Sequence, residues 1–330
     1  MPVTAPTDLP WHDPAWQGRA RAWVEESLAA AGRRVTGPLE HRHVRAWSAV
    51  WFVPTDAGGV WFKANGGAST YEAGLLAVLA DRAPDRVLRP LAVDAAEGWS
   101  LLPDGGATLR ALPVREHLAH WERVLPAYAD LQVRLAARVP ELLAAGVPDH
   151  RPAAMPALLD RLLADERWLL VGEPDGLDVA TLDRLRAVRP EFAGWCDRLA
   201  AGLPATVQHD DLHDGNVFAG PAGYRFFDWG DSSVGHPFGT LLVTLRAVGH
   251  RLELAPGDAA LLRLRDAYLE PWTAGRDRRE LLDQVGLATR VATVGRAASW
   301  RRALSGVRPD QRGEHAGAVP GWLAELVDGS

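Results

Sequence analysis

The feature that most constrains this chain is a change of hydrophobic period at Pro103-Asp104-Gly105-Gly106. Before that break the pattern is mostly that of strands. Val50-Trp51-Phe52-Val53 and Val60-Trp61-Phe62-Lys63 flank Thr55-Asp56-Ala57-Gly58-Gly59, which predicts a hairpin. A weaker strand is expected over residues 39–44, and two more over 87–93 and 99–102. A first helix is expected with Asp13 as its cap, Pro14 at its first position, Gly32 at its stop, and a stripe of Trp16, Ala20, Trp23, Ser27 or Leu28, and Ala31. Ser69-Thr70-Tyr71-Glu72 opens a second helix running to about residue 81, with Ser69 and Glu72 spaced as a capping box. After the break the period is helical over 118–143, 158–170 and 182–203. A short β interlude follows, with strands at Thr206-Val207-Gln208 and Tyr224-Arg225-Phe226-Phe227, and helices resume from 238 to 327. The fold class this predicts is α+β with two lobes, residues 1–104 and 105–330. A length of 330 residues suits two packing units at roughly 150 residues each.

Composition removes several classes. A net charge of -6 does not suit a nucleic-acid binder, and no apolar run is long enough for a membrane span. The start of the chain, residues 1–16, lacks the pattern of a secretory leader. The single cysteine, Cys196, excludes an internal disulfide framework and fits a reducing cytoplasm. No protein partner is legible. Among 36 Lys plus Arg, Lys63 is the only lysine. Where arginine has otherwise replaced lysine, a surviving ammonium invites attention, because the two are not interchangeable where a compact charge is needed.

The densest polar cluster is Gln208-His209-Asp210-Asp211-Leu212-His213-Asp214-Gly215-Asn216, followed by Phe227-Asp228-Trp229-Gly230. Asp211, Asn216 and Asp228 form an oxygen-only set suited to Mg²⁺ shared with phosphates. The spacing His-x-Asp-x-x-x-x-Asn selects Asp211 rather than Asp210, because counting from Asp210 ends on Gly215. In phosphoryl transfer such an Asp receives the hydroxyl proton, while the Asn and the later Asp hold metal. Such a site also asks for an upstream lysine on a third strand and a glutamate on the next helix. Lys63 and Glu72 stand in those places.

These motifs resemble the aminoglycoside phosphotransferase and choline kinase superfamily, small-molecule kinases of protein-kinase-like fold. The resemblance spans roughly residues 35–250; His213, two positions past Asp211, favours it over protein kinases. It implies a bilobal fold with a small β-rich N-lobe and a larger helical C-lobe. It also implies transfer of the γ-phosphate of ATP, with Mg²⁺, to a hydroxyl of a small molecule. Asp211 would be catalytic, Asn216 and Asp228 metal ligands, and Lys63 and Glu72 the phosphate-orienting pair. His209 and His213 would support the loop. The strand containing Leu101 and Leu102 would be the hinge that meets adenine, with Trp47 and Trp99 near it, and Ser48 would contact phosphate from a loop without glycine. The chain departs from the family in carrying Asp210 where relatives have Gly. It also has Gly239 or Thr240 where they have a loop-supporting Asp.

For the acceptor, acids crowd residues 153–183, either as a solvated helix face or as a cleft for an amino-bearing alcohol, sugar or aminoglycoside. The stretch 276–302 has the opposite bias and is either surface or a site for an acidic group. Two rival readings are a catalytically silent nucleotide-binding module and a metal-dependent phosphohydrolase using His209, Asp210, Asp211 and His213.

Overall fold

The computed structural model describes residues 9–221 and 223–328. The first residues of the chain, part of the stretch read for a leader, and Ala222 in the expected turn before Tyr224 lie outside the described residues. Helix α1 (Pro14–Ala30) precedes strands β1 (Glu40–Val44), β2 (Ser48–Thr55) and β3 (Gly58–Asn65). Helix α2 (Tyr71–Arg82), β4 (Ala92–Asp94) and β5 (Trp99–Pro103) complete the N-lobe sequence. The C-lobe opens with α3 (His117–Leu135), α4 (Val139–Ala144), β6 (Asp149–His150), α5 (Met155–Leu163) and α6 (Glu166–Leu169). Then come α7 (Val179–Ala187), α8 (Arg189–Ala200), β7 (Thr206–Gln208), β8 (Val217–Gly220), β9 (Gly223–Phe226) and β10 (Ser233–Gly235). It closes with α9 (Thr240–Leu252), α10 (Ala259–Leu269), α11 (Arg278–Ala303) and α12 (Ala318–Asp328). Among the described residues no helix is long and apolar enough to cross a membrane.

The N-lobe sheet is antiparallel in the order β1-β2-β3-β5-β4. Its register fixes which side chains share a face, because residues paired across strands point the same way. Trp51 pairs Phe62, which pairs Leu101, and this face packs against α1. Val50 pairs Lys63, which pairs Ser100, so Lys63 faces away from α1. Asp13 caps α1 by accepting from Ala15 N–H at 3.0 Å, and Gly32 at φ 70° ends it. The buried stripe is Trp16, Ala20, Val24 and Leu28. Val24 thus takes the deep place expected of Trp23, and Ala31 is exposed. Trp16 stands edge-on to Trp51 and Trp99, each at 5.8 Å, so Trp99 belongs to this packed layer and not to a nucleotide cleft.

Three expected helices are broken. The stretch 118–143 bends through a 3-10 turn at Ala136–Arg138, 158–170 divides between α5 and α6, and 182–203 divides at Val188 before Pro190. The expected strand over 87–93 contracts to β4. Three strands had no sequence signal: β8 pairs β9, and β10 joins β6 in parallel and β7 antiparallel, stitching the strand that leads into the His209–Asn216 loop into a small C-lobe sheet. Helix α2 contributes Tyr71, Leu75, Leu76 and Leu79 to the large C-lobe core, whereas α1 and the sheet form a separate core. The joint itself is close-packed: a Cβ on Gly105 would lie 2.4 Å from the Phe218 ring, which stacks on Phe227.

Candidate active site

Lys63 crosses from the sheet to meet both other parts of the site. Its Nζ lies 2.7 Å from Glu72 Oε2 on α2 and 2.5 Å from Asp228 Oδ1. Burial alone would lower its pKa, but Asp228 and Glu72 outweigh that and raise it above an ordinary lysine. Glu72 is buried, and its other oxygen accepts from Trp229 N–H at 2.8 Å while Asn65 Nδ2 donates to Oε2. This overturns the capping box. With both oxygens committed inward, Glu72 makes no bond to Ser69, which sits in a 3-10 turn ahead of α2. Tyr71 secures the same junction, its hydroxyl 2.7 Å from Gly230 O and 2.9 Å from Ser232 O.

Asp228 adopts φ 65°, and its side chain is half exposed. Burial would raise its pKa, yet the neighbouring Lys63 lowers it, so it is an ionised carboxylate at neutral pH. His209 is fully buried; its Nε2–H donates to Phe227 O at 2.9 Å, directly before Asp228. The strand carrying one aspartate is thereby tied to the loop carrying the other. Burial depresses the His209 pKa, which keeps the ring neutral.

Asp211 lies where this loop opens. Asn216 Nδ2 donates to its carbonyl at 2.9 Å, which leaves Asn216 Oδ1 without a hydrogen-bond partner among the described residues. His213 Nδ1 accepts from Gly215 N–H at 3.0 Å, so its Nε2 carries the proton, 3.4 Å from Asp211 Oδ2. Burial works to raise the Asp211 pKa, but the His213 hydrogen bond and Arg296, 3.8 Å away on α11, hold it down at about 2.

Sequence reasoning missed three residues that fix this loop, Tyr128, Arg296 and Ser233. Tyr128 on α3 accepts His209 N–H at 2.8 Å and lies 3.4 Å from Thr240 Oγ1. It ties the loop to α3 and to Thr240 at the start of α9. Arg296 donates to Asp210 O at 2.6 Å and approaches Asp231 Oδ2 at 3.3 Å. Ser233 donates to Asp210 Oδ2 at 2.5 Å, turning that carboxylate away from the cleft. The backbone of Asp210 has φ 59°, a left-handed conformation open to Gly and tolerated by Asp. The left-handed backbone is thus one that an aspartate can occupy.

Two predictions arise here. Tyr128→Phe removes the acceptor for a buried N–H, so thermal denaturation should show a loss of about 1–3 kcal/mol. An unchanged Tm would refute the anchoring. Burial raises the Asp210 pKa to about 6, against 3.8 ordinarily. A raised carboxyl pKa means the folded state binds the proton more tightly, so stability is held at low pH and lost as pH rises from about 4 through about 6. Asp210→Asn should therefore raise Tm at pH 8 and leave it nearly unchanged at about pH 4, which a pair of melts at the two pH values would test.

The remaining expected residues separate. Ser48 is buried at the start of β2, paired with Asn65 on the same face as Lys63. Leu102 also shares that face through its pairing with Trp61. Leu101 points under α1, and its carbonyl accepts from Leu91 N–H at 2.7 Å within the sheet. Trp47 leaves the expected adenine region and packs edge-on to Trp300 and His315 at 6.0 and 5.7 Å. The hydrolase cluster does not converge, because His209 and Asp210 face away into Phe227 O and Ser233; among the described residues no three His, Cys, Asp or Glu are placed to hold a metal. The acids of 153–183 are largely compensated: Asp160 pairs with Arg189, Asp165 with Arg167 and Arg301, Asp183 with Arg186, and Asp178 caps α7.

A small antiparallel lobe, a larger helical lobe and a lysine bridging a helix glutamate and a loop aspartate define the protein-kinase-like fold of small-molecule phosphotransferases. Residues 67–282 match the phosphotransferase enzyme family, and the chain belongs to it. No curated protein matches the chain by sequence. Among solved structures it is similar to a macrolide 2'-phosphotransferase type I, at 18% identity and TM-score 0.59, covering 92% of this chain and 96% of that one. A choline/ethanolamine kinase family protein from Mesorhizobium loti is 18% identical with TM-score 0.58, covering 93% of each chain. A choline kinase from Streptococcus pneumoniae is 12% identical with TM-score 0.59, covering 94% and 100%.

Proposed function

We propose that the chain transfers the γ-phosphoryl group of ATP to a hydroxyl of a small molecule, in the cytoplasm. The observation that carries this reading is Lys63 held between Glu72 and Asp228, across the two lobes from one another, beside the Asp211–Asn216 loop. Asn216 Oδ1 and the Asp228 carboxylate are the hard oxygens that suit Mg²⁺; when bound, the ion neutralises charge on the phosphate oxygens. Lys63 then orients the α/β-phosphates while Glu72 keeps it in place, and Ser48 and Leu102 supply the sheet-side wall for the nucleotide. Asp211, ionised at neutral pH, accepts a hydrogen bond from the acceptor hydroxyl and aligns it. With its pKa at about 2 it is a weak base, so it takes the proton late, as the O–P bond forms. His213 Nε2–H holds the carboxylate in that orientation. The protein's contribution is thus position and charge.

The acceptor is an amino alcohol, a sugar or an aminoglycoside-like hydroxyl compound. The compensated acids of 153–183 lend no support to an amino group on it, so the panel has to be broad. ATP consumption across amino alcohols, sugars, aminoglycosides and macrolides, with Asp211→Asn beside the wild type, tests the reading; no acceptor-dependent difference between them would overturn it. Asp228→Ala should abolish Mg²⁺-dependent nucleotide binding in a calorimetric titration, and binding equal to wild type would refute its metal role. The silent-module reading keeps one observation in its favour: the glycine-free turn is closed on itself, with Arg45 N–H donating to Ser48 O at 2.8 Å and Gly66 N–H to Trp47 O at 2.9 Å. Nucleotide binding without turnover on the full panel would decide for it.

A further inference from the structure

We propose that the cleft between α5 and the C-terminal end of α11 binds a small organic phosphate monoester, at a site separate from the phosphotransfer centre. The cleft measures about 330 Å³, within the range of small-molecule pockets, and none of Lys63, Asp211, Asn216 or Asp228 lines it. Three guanidinium groups do: Arg161 from α5, and Arg301 and Arg302 from α11. Leu158, Leu162 and Ala298 give it an apolar wall.

Arg301 is paired with Asp165 at 2.7 Å, whereas the charges of Arg161 and Arg302 have no carboxylate partner among the described residues. Asp149 at its edge is already held through both oxygens by Arg151, at 2.8 and 2.7 Å. Asp165 is shared between Arg301 and Arg167, and Asp160 belongs to Arg189. Arg302 instead donates through Nη2 to Asp231 O and Ser299 Oγ, and its Nη1 stands 3.4 Å from His150 Nε2 at the cleft wall. The Nε–H groups of both Arg301 and Arg302 are buried without a partner, a cost that buried donors rarely bear. His150 in the same wall reports the field: burial first, then Arg302 and Arg161 against the opposing Asp149, bring its pKa down to about 3. The imidazole is therefore neutral and adds no charge of its own.

The free guanidinium of Arg161, beside the carboxylate-free Arg302 and the unpartnered Nε–H groups of Arg301 and Arg302, suits a doubly charged group with three equivalent oxygens. The leucine wall suits an organic body attached to it. The arginine bias of 276–302 thus ends, at its last two members, in a site for an acidic group.

Calorimetric titration of the full chain with inorganic phosphate and with phenyl phosphate, in EDTA and at low ionic strength, tests this. Both should bind, phenyl phosphate more tightly, and added salt should weaken both. Arg161→Ala, at an exposed position whose loss leaves the core intact, should weaken binding by about tenfold or more and leave phosphotransfer unchanged. Lys63→Ala should bind phosphate as the wild type does. Wild-type affinity in both Arg161→Ala and Arg302→Ala, or loss of binding in Lys63→Ala, would overturn the proposal. Equal affinity for malonate and phosphate would overturn the choice of a phosphate group. Because the readout is binding without Mg²⁺ or turnover, a failure here is distinguishable from a failure of the phosphotransfer reading.

Discussion

Asp211→Asn is expected to lower turnover by about three orders of magnitude while nucleotide affinity stays within a few-fold of wild type. The asymmetry follows from the geometry. Asp211 is held by its own loop and by α11: its carbonyl accepts from Asn216, its carboxylate lies 3.4 Å from His213 Nε2 and 3.8 Å from Arg296 Nη2. It makes no contact with Lys63, whose partners are Glu72 and Asp228. Asparagine keeps the shape of the side chain, so the loop should fold unchanged. It presents one oxygen instead of two and cannot take up a proton, so the acceptor hydroxyl loses both its alignment and its proton sink. The comparison requires single-turnover rates and a nucleotide titration on the same preparation. Wild-type turnover would remove Asp211 from the chemistry, and a parallel loss of nucleotide binding would show that it serves the nucleotide. The pH profile adds a check. With the Asp211 pKa at about 2, its ionisation should leave no inflection in the rate between about pH 5 and 8. A limb in that interval would have to come from another group.

The residues proposed to carry chemistry were legible in the sequence, and the residues that hold them were not. Lys63, Glu72, Asp211, Asn216 and Asp228 stand out because each is an uncommon residue type at a set place relative to a strand, helix or turn. Tyr128 and Arg296 have no such mark. Their partners lie 81 and 86 residues away, and a tyrosine on an amphipathic helix looks like core until its hydroxyl is seen under His209 N–H. Glu72 shows the opposite failure. A local rule explained it as a cap, but burial beside Lys63 gives its oxygens stronger partners. Strand parity accounts for Trp99 and Leu101. Their distance from Lys63 along the sheet is small, yet a register in which Ser100 opposes Lys63 puts both on the face covered by α1. The strands β6 and β10 are too short to show any alternation, so only the folded chain reveals that they brace the loop strand β7.

Lys63→Arg matches the composition of a chain whose other basic residues are all arginine, and here it should fail. Lys63 is the one lysine among 36 basic residues, and its ammonium sits between Glu72 Oε2 at 2.7 Å and Asp228 Oδ1 at 2.5 Å. Its side chain is only 14% exposed, and a Cβ on Gly230 would stand 3.8 Å from its Nζ. A compact point charge can serve two carboxylates there in turn and release one to a phosphate. A planar fork is longer and wider, and it would bind one carboxylate through two parallel bonds, displacing α2 or the Asp228 loop to do so. The positive charge remains, so the fold should lose little: a Tm within a few degrees of wild type is expected. Phosphotransfer should fall by about a hundredfold or more, because a displacement near 1 Å at a positioning group costs that much. Lys63→Met separates charge from shape. It leaves Glu72 and Asp228 facing one another without a cation, and should cost about 3–5 kcal/mol in denaturant unfolding as well as activity. Arginine active at the wild-type rate would mean that the site needs only charge at this position, and the survival of a single lysine would carry no functional weight.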